Sequence, residues 1–246
     1  MRLLLTGMGG TVAPRLATHA SRAGHEVAAW DRGAVSPDDL DACWRFVDSV
    51  QPDAIAHLAF GAESWAEMLA SAAAQHGLPF VYTSTAMVFA QRPDGPYRPT
   101  DLPTADTEYG QYKARCEQAV RAVNEQAMVV RLAYQMDFDG RGNNLVAHLD
   151  AAHEQGQTVT ASTRWIPALA FLDDTADGLL SFLTDPEPGI HHLDGNAVTA
   201  WDYHRVVRSL ASALGRPWRI EPTDEPVHDQ RLLDSARVAR ISSHLA

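Results

Sequence analysis

Short apolar runs alternate with longer amphipathic segments over the first half of the chain, and this pattern predicts its elements. The apolar runs fall at residues 2–6, 26–30, 52–60, 78–85 and 127–134. Runs such as LLL at 3–5 and FVY at 80–82 are typical of strands covered on both faces. The intervening segments predict helices over 36–50, 62–77 and 108–126. Strands alternating with helices at this spacing predict an α/β fold, a doubly wound parallel sheet of Rossmann type.

The regularity weakens after Tyr134, where shorter elements follow polar loops. One helix is predicted over 145–155, and another after WIPALAFLDD, capped by Asp173 or Asp174. We therefore predict two lobes. A dinucleotide-binding Rossmann domain takes residues 1–134 plus about 166–185. A smaller α/β substrate-binding lobe from the C-terminal part takes about 135–165 plus 186–246.

Composition and charge narrow the class of protein. Of the 246 residues, 46% are hydrophobic and 21% are charged, as in globular proteins. The formal net charge of −11 argues against nucleic acid or an anionic membrane as a partner, since both bind basic surfaces. Cys43 and Cys116 lack paired-ligand spacing and the histidines form no metal pattern, so we predict no metal site. The N-terminal apolar run is too short for a signal peptide, and we expect a cytoplasmic protein with a small-molecule substrate.

The segment TGMGGTVA, residues 6–13, joins the first strand to the first helix. Gly7 and Gly10 are three residues apart, and glycines there let the backbone approach a pyrophosphate whose charge lies at the helix N-terminus. Asp31 follows Gly10 by 21 residues at the end of the second strand, where a carboxylate accepts hydrogen bonds from a ribose. Together these features predict a dinucleotide site.

The charges near this site bear on the choice of cofactor. Asp31 would repel a 2′-phosphate and so favours NAD(H). Arg32 and Arg15 are nearby cations that could instead bind a 2′-phosphate. We predict NAD(P)H as the cofactor, with a slight preference for NAD(H).

Lys113 is the only lysine among the 20 lysine and arginine residues, and it lies four residues after Tyr109. Positions i and i+4 share one helix face. A free tyrosine has a pKa of about 10, and a nearby ammonium favours the phenolate. We therefore predict that Lys113 lowers the pKa of Tyr109 and makes it a proton-transfer group. A chance pairing of the two residues is the alternative.

The strand FVYTST ends in Thr83, Ser84 and Thr85. Their hydroxyls are predicted at the carboxyl edge of the sheet, where open α/β folds bind ligands. Hydroxyls at a strand end also form turns, which is the alternative reading. Thr85 precedes Tyr109 by 24 residues, so strand, loop and helix can bring both side chains to one cleft.

These motifs together resemble the extended short-chain dehydrogenase/reductase family over essentially the whole chain. TGMGGTVA is similar to its TGxxGxxG/A loop, DAIAHLAF to its DxVxHLAA strand, TSTAMVF to its Ser/Thr-rich strand end, and YGQYK to its YxxxK motif. The resemblance implies that Tyr109 protonates a substrate carbonyl, that Lys113 binds the nicotinamide ribose, and that Thr85 hydrogen-bonds the same carbonyl oxygen. The expected cofactor-binding residues are Gly7, Gly10, Thr11, Val12, Asp31, Arg32, Leu58, Ala59, Phe60 and Lys113, and the expected substrate-binding residues are Ser84, Asn143 and Arg164.

The chain departs from the family between His57 and Thr85, where it is shorter and has no counterpart of the usual relay asparagine. Ala86 and Met87 stand where related dehydratases carry Asp-Glu, which argues against water elimination. We predict a reductase of a ketone on a sugar nucleotide or a similar polar metabolite. An NAD-dependent sugar epimerase and a non-catalytic NAD(P)-binding regulatory subunit are the alternatives, and a homodimer is a further expectation.

Overall fold

A computed structural model describes residues 1–92, 95–139 and 142–245, and these ranges contain twelve strands and seven α-helices. The strands are β1 (Arg2–Leu5), β2 (Glu26–Ala29), β3 (Ala54–His57), β4 (Phe80–Thr85), β5 (Met128–Leu132), β6 (Tyr134–Met136), β7 (Val159–Ser162), β8 (Trp165–Ile166), β9 (Leu169–Phe171), β10 (Gly189–Leu193), β11 (Ile220–Thr223) and β12 (His228–Asp229). The helices are α1 (Val12–Arg22), α2 (Leu40–Val50), α3 (Glu63–His76), α4 (Glu108–Val123), α5 (Leu145–Glu154), α6 (Leu172–Thr184) and α7 (Tyr203–Leu214). Strands and helices alternate as far as β5, as the sequence predicts.

Six parallel strands form the central sheet in the order β10-β5-β4-β3-β1-β2, which confirms the predicted fold class. The chain runs from β2 at one edge to β3 on the other side of β1, so the direction of winding reverses between β1 and β3. Open α/β sheets bind ligands at such a reversal, in the crevice outside the carboxyl ends of the strands.

Both faces of the sheet are covered by helices. In β1, Leu3 and Leu5 pack with residues of α1 and α6. Leu4 lies between them on the opposite face and packs with residues of α2, α3 and α4. This two-sided burial explains why the central strands are apolar at consecutive positions.

The second half of the chain forms another apolar cluster, which includes Met136, Leu149, Phe171 and Trp218. Three two-stranded parallel pairs lie in this part, namely β6 with β9, β7 with β11 and β8 with β12. Asp194 follows β10, and its carboxylate accepts hydrogen bonds from the backbone N–H groups of Leu169, Asn196 and Leu232 at 3.0, 2.8 and 2.9 Å. This carboxylate therefore joins three separate segments.

Three details differ from the predictions. Gly189–Leu193 is an edge strand of the central sheet, although the predicted lobe boundary assigns residues 186–246 to the second lobe. In the segment 166–185, α6 packs on the central sheet, whereas β9 pairs with β6. The N-cap of α6 is Phe171, so Asp173 and Asp174 lie in the first turn, where their charges favour the helix dipole.

A buried ion pair fixes α4 against the sheet. Glu117 in α4 and Arg131 in β5 are 3% and 0% exposed. The guanidinium donates from Nε to Oε1 at 3.1 Å and from Nη2 to Oε2 at 2.9 Å. A two-point pair of this kind constrains the rotation of the helix as well as its distance from the strand.

We expect Glu117→Leu to lower the free energy of unfolding by about 3–5 kcal/mol, because it leaves the Arg131 charge buried and unpaired. The double variant Glu117→Leu/Arg131→Met should recover much of this loss, since it removes both charges. Urea unfolding of the parent, the single variant and the double variant measures the free energy of unfolding. Arg115→Gln is the matched control, because its pair with Glu63 is exposed and should change stability by less than about 1 kcal/mol. A double variant no more stable than the single one would contradict this account.

Candidate active site

A cavity of about 1250 Å³ opens at the carboxyl ends of β1, β3, β4 and β5. It is lined by all of the predicted catalytic and cofactor-binding residues and by two of the three predicted substrate-binding residues. These are Gly7, Gly10, Thr11, Val12, Asp31, Arg32, Leu58, Ala59, Phe60, Ser84, Thr85, Tyr109, Lys113 and Asn143. The third substrate-binding candidate, Arg164, is an exposed residue that does not line the cavity, whereas its neighbour Trp165 does.

The loop after β1 lies very close to the loop after β3. Gly7 has φ +86°, and a Cβ there would be 3.0 Å from the backbone of Leu58 and Ala59. The hydroxyl of Thr6 accepts hydrogen bonds from the N–H groups of Leu58 and Ala59 at 3.0 and 3.1 Å. Thr6 Oγ1 is also 2.8 Å from His57 Nδ1. We assign the hydroxyl as donor to His57, since burial lowers the pKa of this imidazole to about 3 and keeps it neutral.

The N-terminus of α1 has the features of an anion site. Its N-cap residue, Thr11, makes no capping hydrogen bond with its side chain, and the first turn carries no acidic residue. The Thr11 hydroxyl instead accepts the N–H of Asn143 at 3.1 Å. A Cβ on Gly9 would have nothing within 4 Å, so the space above the loop is open. This cradle fits the diphosphate of a dinucleotide.

Asp31 and Arg32 follow β2 and line the same cavity as the glycine loop. Asp31 Oδ1 accepts the N–H of Gly33 at 2.8 Å. Arg32 donates to the carbonyl of Phe60, and its guanidinium lies 5.0 Å from the centroid of the Trp65 ring. Arg15, the other cation considered for a 2′-phosphate, lies outside this cavity and pairs with Asp137 and Asp173.

Lys113 lies beneath the cavity and is 4% exposed. Its ammonium donates to the carbonyl of Thr83 at 2.9 Å. Burial lowers the pKa of Lys113 to about 8, against opposing effects of Cys116 and Glu117. One of the three ammonium hydrogens is used by Thr83, which leaves two for a ligand.

Tyr109 lies at the mouth of the cavity and is 42% exposed. Burial raises the pKa of Tyr109, so the predicted lowering by Lys113 is wrong for the structure described here. The physical reason is burial of the phenol, while the Lys113 ammonium makes its hydrogen bond to the Thr83 carbonyl. The ring of Tyr109 is nearly parallel to that of Phe60, with centroids 6.5 Å apart.

The two hydroxyl residues at the end of β4 differ in their surroundings. Thr85 Oγ1 accepts the N–H of Met87 at 3.2 Å, so it takes part in a turn as well as lining the cavity. The Ser84 hydroxyl is buried, and within the described residues no protein group hydrogen-bonds to it. Ser84 thus adds an unsatisfied polar group to the cavity wall.

Several residues of the site are not among those predicted from the sequence. The additional lining residues after β5 are Ala133, Tyr134, Gln135, Trp165, Ala168 and Gln230. Tyr112 connects α4 to the loop after β3, because its hydroxyl donates to the carbonyl of Gly61 at 2.8 Å. The pattern YGQYK contains a signal for Tyr112, since a second tyrosine three residues after Tyr109 lies one helical turn along.

A comparison with protein families identifies the chain. The model of the family described as RmlD substrate binding domain matches residues 1–237. The chain belongs to this family. RmlD family membership confirms the prediction of an NAD(P)-dependent oxidoreductase of the extended short-chain dehydrogenase/reductase type.

Three other proteins are similar to this chain. The dTDP-4-dehydrorhamnose reductase of Mycolicibacterium smegmatis is 29% identical over 243 residues, which cover 92% of this chain and 74% of that protein. The crystal structure of dTDP-4-dehydrorhamnose reductase from Bacillus anthracis in complex with NADP has a TM-score of 0.83 at 16% identity, covering 99% of this chain and 96% of that one. The Bordetella bronchiseptica enzyme WbmH in complex with NAD+ has a TM-score of 0.76 at 18% identity, covering 96% and 90%. These structures share the fold of this RmlD family chain and contain the predicted kinds of cofactor.

Within residues 1–92, 95–139 and 142–245, no helix has the length and apolar character needed to cross a membrane. Nor does the described part of the chain hold a group of three or more His, Cys, Asp and Glu side chains placed to bind a metal ion.

We expect an alanine substitution at Gly7 to change stability and one at Gly9 to change cofactor affinity. Gly7→Ala should lower the free energy of unfolding by about 1–3 kcal/mol, because of its positive φ and the backbone 3.0 Å away. Gly9→Ala should leave stability unchanged, since its Cβ meets nothing, yet weaken NAD(P)H binding by filling the space above the loop. Thermal unfolding and NAD(P)H fluorescence titration test both statements. Unchanged NAD(P)H affinity in Gly9→Ala would show that the diphosphate does not lie there.

Proposed function

We propose that this RmlD family protein is an NAD(P)H-dependent reductase of a ketone on a sugar nucleotide or a similar polar metabolite, with Tyr109 as the proton donor. The observation that carries the proposal is one cavity shared by two sets of residues. The glycine loop and Asp31 lie at one end, and Thr85, Tyr109 and Lys113 line the same space.

The cofactor would be held by residues already described. The amides of the α1 N-terminus would bind its diphosphate, Asp31 and Arg32 the adenosine ribose, and Lys113 the nicotinamide ribose. We infer a preference for NAD(H), because the carboxylate of Asp31 disfavours a 2′-phosphate. When bound, NAD(P)H supplies the hydride that reduces the carbonyl carbon.

Tyr109 would supply the proton that the carbonyl oxygen needs. Burial raises the pKa of Tyr109, so its hydroxyl keeps a proton at neutral pH and can give it away. Thr85 Oγ1 would hydrogen-bond the same oxygen and orient it. A ketone that gains one hydride and this proton becomes a secondary alcohol, and the phenolate is reprotonated from solvent. A protonated tyrosine supports net reduction more directly than an epimerase cycle, which also needs a base for the oxidative half.

We propose that the second half of the chain forms the substrate end of the cavity. Gln135 lies at its wall, and its Nε2 donates to the Ala133 carbonyl at 2.9 Å, which fixes the orientation of the amide. Trp165 and Gln230 come together because β8 pairs with β12. Amide and indole groups suit the hydroxyl groups of a sugar ring.

We expect Tyr109→Phe to lower kcat by about 10²- to 10⁴-fold, because it removes the proton donor and keeps the ring. NAD(P)H oxidation should be followed with a panel of 4-keto sugar nucleotides, including dTDP-4-dehydrorhamnose, and of simple polar ketones. Thermal unfolding should be unchanged.

Tyr112→Phe is the matched control for this experiment, since it removes a hydroxyl from the same helix that bonds to Gly61 rather than to substrate. Its kcat should fall by less than about tenfold. Equal rates for Tyr109→Phe and the parent would rule out the proton-donor role. Sugar interconversion without net NAD(P)H oxidation would indicate the epimerase instead.

We expect NAD(P)H affinity to fall as the pH rises through about 8, where Lys113 loses its proton. The ammonium is present below this pH, so the hydrogen bonds to ribose are strongest there. Lys113→Met should bind weakly at every pH and lack this step. Fluorescence titrations between pH 6 and 10 provide the measurement, and a parent protein with pH-independent affinity would argue against the assigned role of Lys113.

A further inference from the structure

The Lys113 ammonium is buried without a carboxylate partner. Among the described residues it forms no ion pair, and the nearest acid of α4, Glu117, is held by Arg131. A buried unpaired charge is very unfavourable unless other groups compensate for the lost water. The Thr83 carbonyl provides a single hydrogen bond at 2.9 Å.

Two tyrosine rings also lie close to the Lys113 ammonium. The Lys113 Nζ lies 4.8 Å from the centroid of the Tyr82 ring and 5.9 Å from that of Tyr112. Tyr82 is fully buried in β4, and its neighbour in the sheet, His57, packs against it with ring centroids 5.7 Å apart. The ring of Tyr82 is therefore fixed by the core before any ligand binds. A cation within about 6 Å of an aromatic face is attracted to the ring quadrupole, most strongly where water is excluded.

We propose that Tyr82 is a positioning residue for Lys113. The ring face of Tyr82 stabilises the buried ammonium in its charged form and directs the free hydrogens of that ammonium to the cavity. This inference rests on the proposed role of Lys113 in cofactor binding. Tyr82 itself does not line the cavity, so its effect on the reaction passes through Lys113.

The titratable and charged groups around Lys113 come from α4, β4, β3 and β5. On α4, Cys116 and Glu117 favour the charged form, and Tyr109 and Tyr112 have pKa values raised by burial. On β4, burial raises the pKa of Tyr82 well above its ordinary value, so this ring acts as a neutral quadrupole. On β3, His57 stays neutral with a pKa of about 3, and Arg32 is the nearby cation that, with Lys113, helps to lower it. Arg131 on β5 is paired with Glu117.

The single lysine allows a direct test in the intact chain. Protein labelled with ¹³C at lysine Cε gives one lysine resonance, from Lys113, whose shift reports its protonation as the pH is raised. Tyr82→Phe and pentafluorophenylalanine at position 82 have nearly the same shape, but fluorination reverses the ring quadrupole. We expect the parent and Tyr82→Phe to titrate near pH 8. The fluorinated variant should titrate about one pH unit lower.

The outcomes separate this inference from the proposed function. Equal midpoints for phenylalanine and its fluorinated analogue would overturn the role of the Tyr82 ring. A lower Lys113 titration midpoint in the fluorinated variant supports the role of the Tyr82 ring, whether or not the protein reduces any ketone. NAD(P)H affinity at pH 8 should then fall about fivefold in the fluorinated variant and be nearly unchanged at pH 6, where the lysine is at least about 90% protonated in both. A loss of affinity by the same factor at both pH values would point to structural damage and count against the inference.

Discussion

The arrangement of the candidate active site depends on how α4 lies on the sheet, and the buried pair of Glu117 and Arg131 sets this position. Glu117 is four residues beyond Lys113 and eight beyond Tyr109, so all three share one side of the helix. Anchoring Glu117 to β5 therefore sets the rotation at which the other two meet the sheet edge. Gly110 sets the distance at the opposite end of the helix, because a Cβ there would lie 2.1 Å from the Met87 carbonyl. Only a glycine lets α4 approach the turn that follows Thr85.

The structure brings into one cavity the predicted residues whose positions are encoded locally. The glycine loop, Asp31 and the strand end at Thr85 each depend on a few consecutive residues and on their place at a strand terminus. A parallel sheet then brings such termini to one edge without further information. The i, i+4 spacing of Tyr109 and Lys113 places them on one helix face by the same kind of argument. The fold class follows from the alternation of strands and helices.

The errors and omissions arise where the answer depends on distant partners. The lowered pKa of Tyr109 was expected from spacing, but the lysine side chain turns to the carbonyl of Thr83, a residue 30 positions earlier. Arg15 was considered as a phosphate ligand, yet it is held by Asp173, which is 158 residues away. Tyr82 reads from the sequence as an ordinary core residue of a strand. Its place under the ammonium becomes visible only when β4 and α4 are seen together.

The carboxylate of Asp194 has a consequence for how the molecule comes apart. Its oxygens hold backbone groups from β9, from the turn after β10 and from the segment near Leu232, and β10 itself is hydrogen-bonded to β5 of the central sheet. Separating these segments would leave the Asp194 side chain buried and without its hydrogen-bond donors. The segments of Leu169 and Leu232 are thus fastened to the end of a strand that belongs to the central sheet.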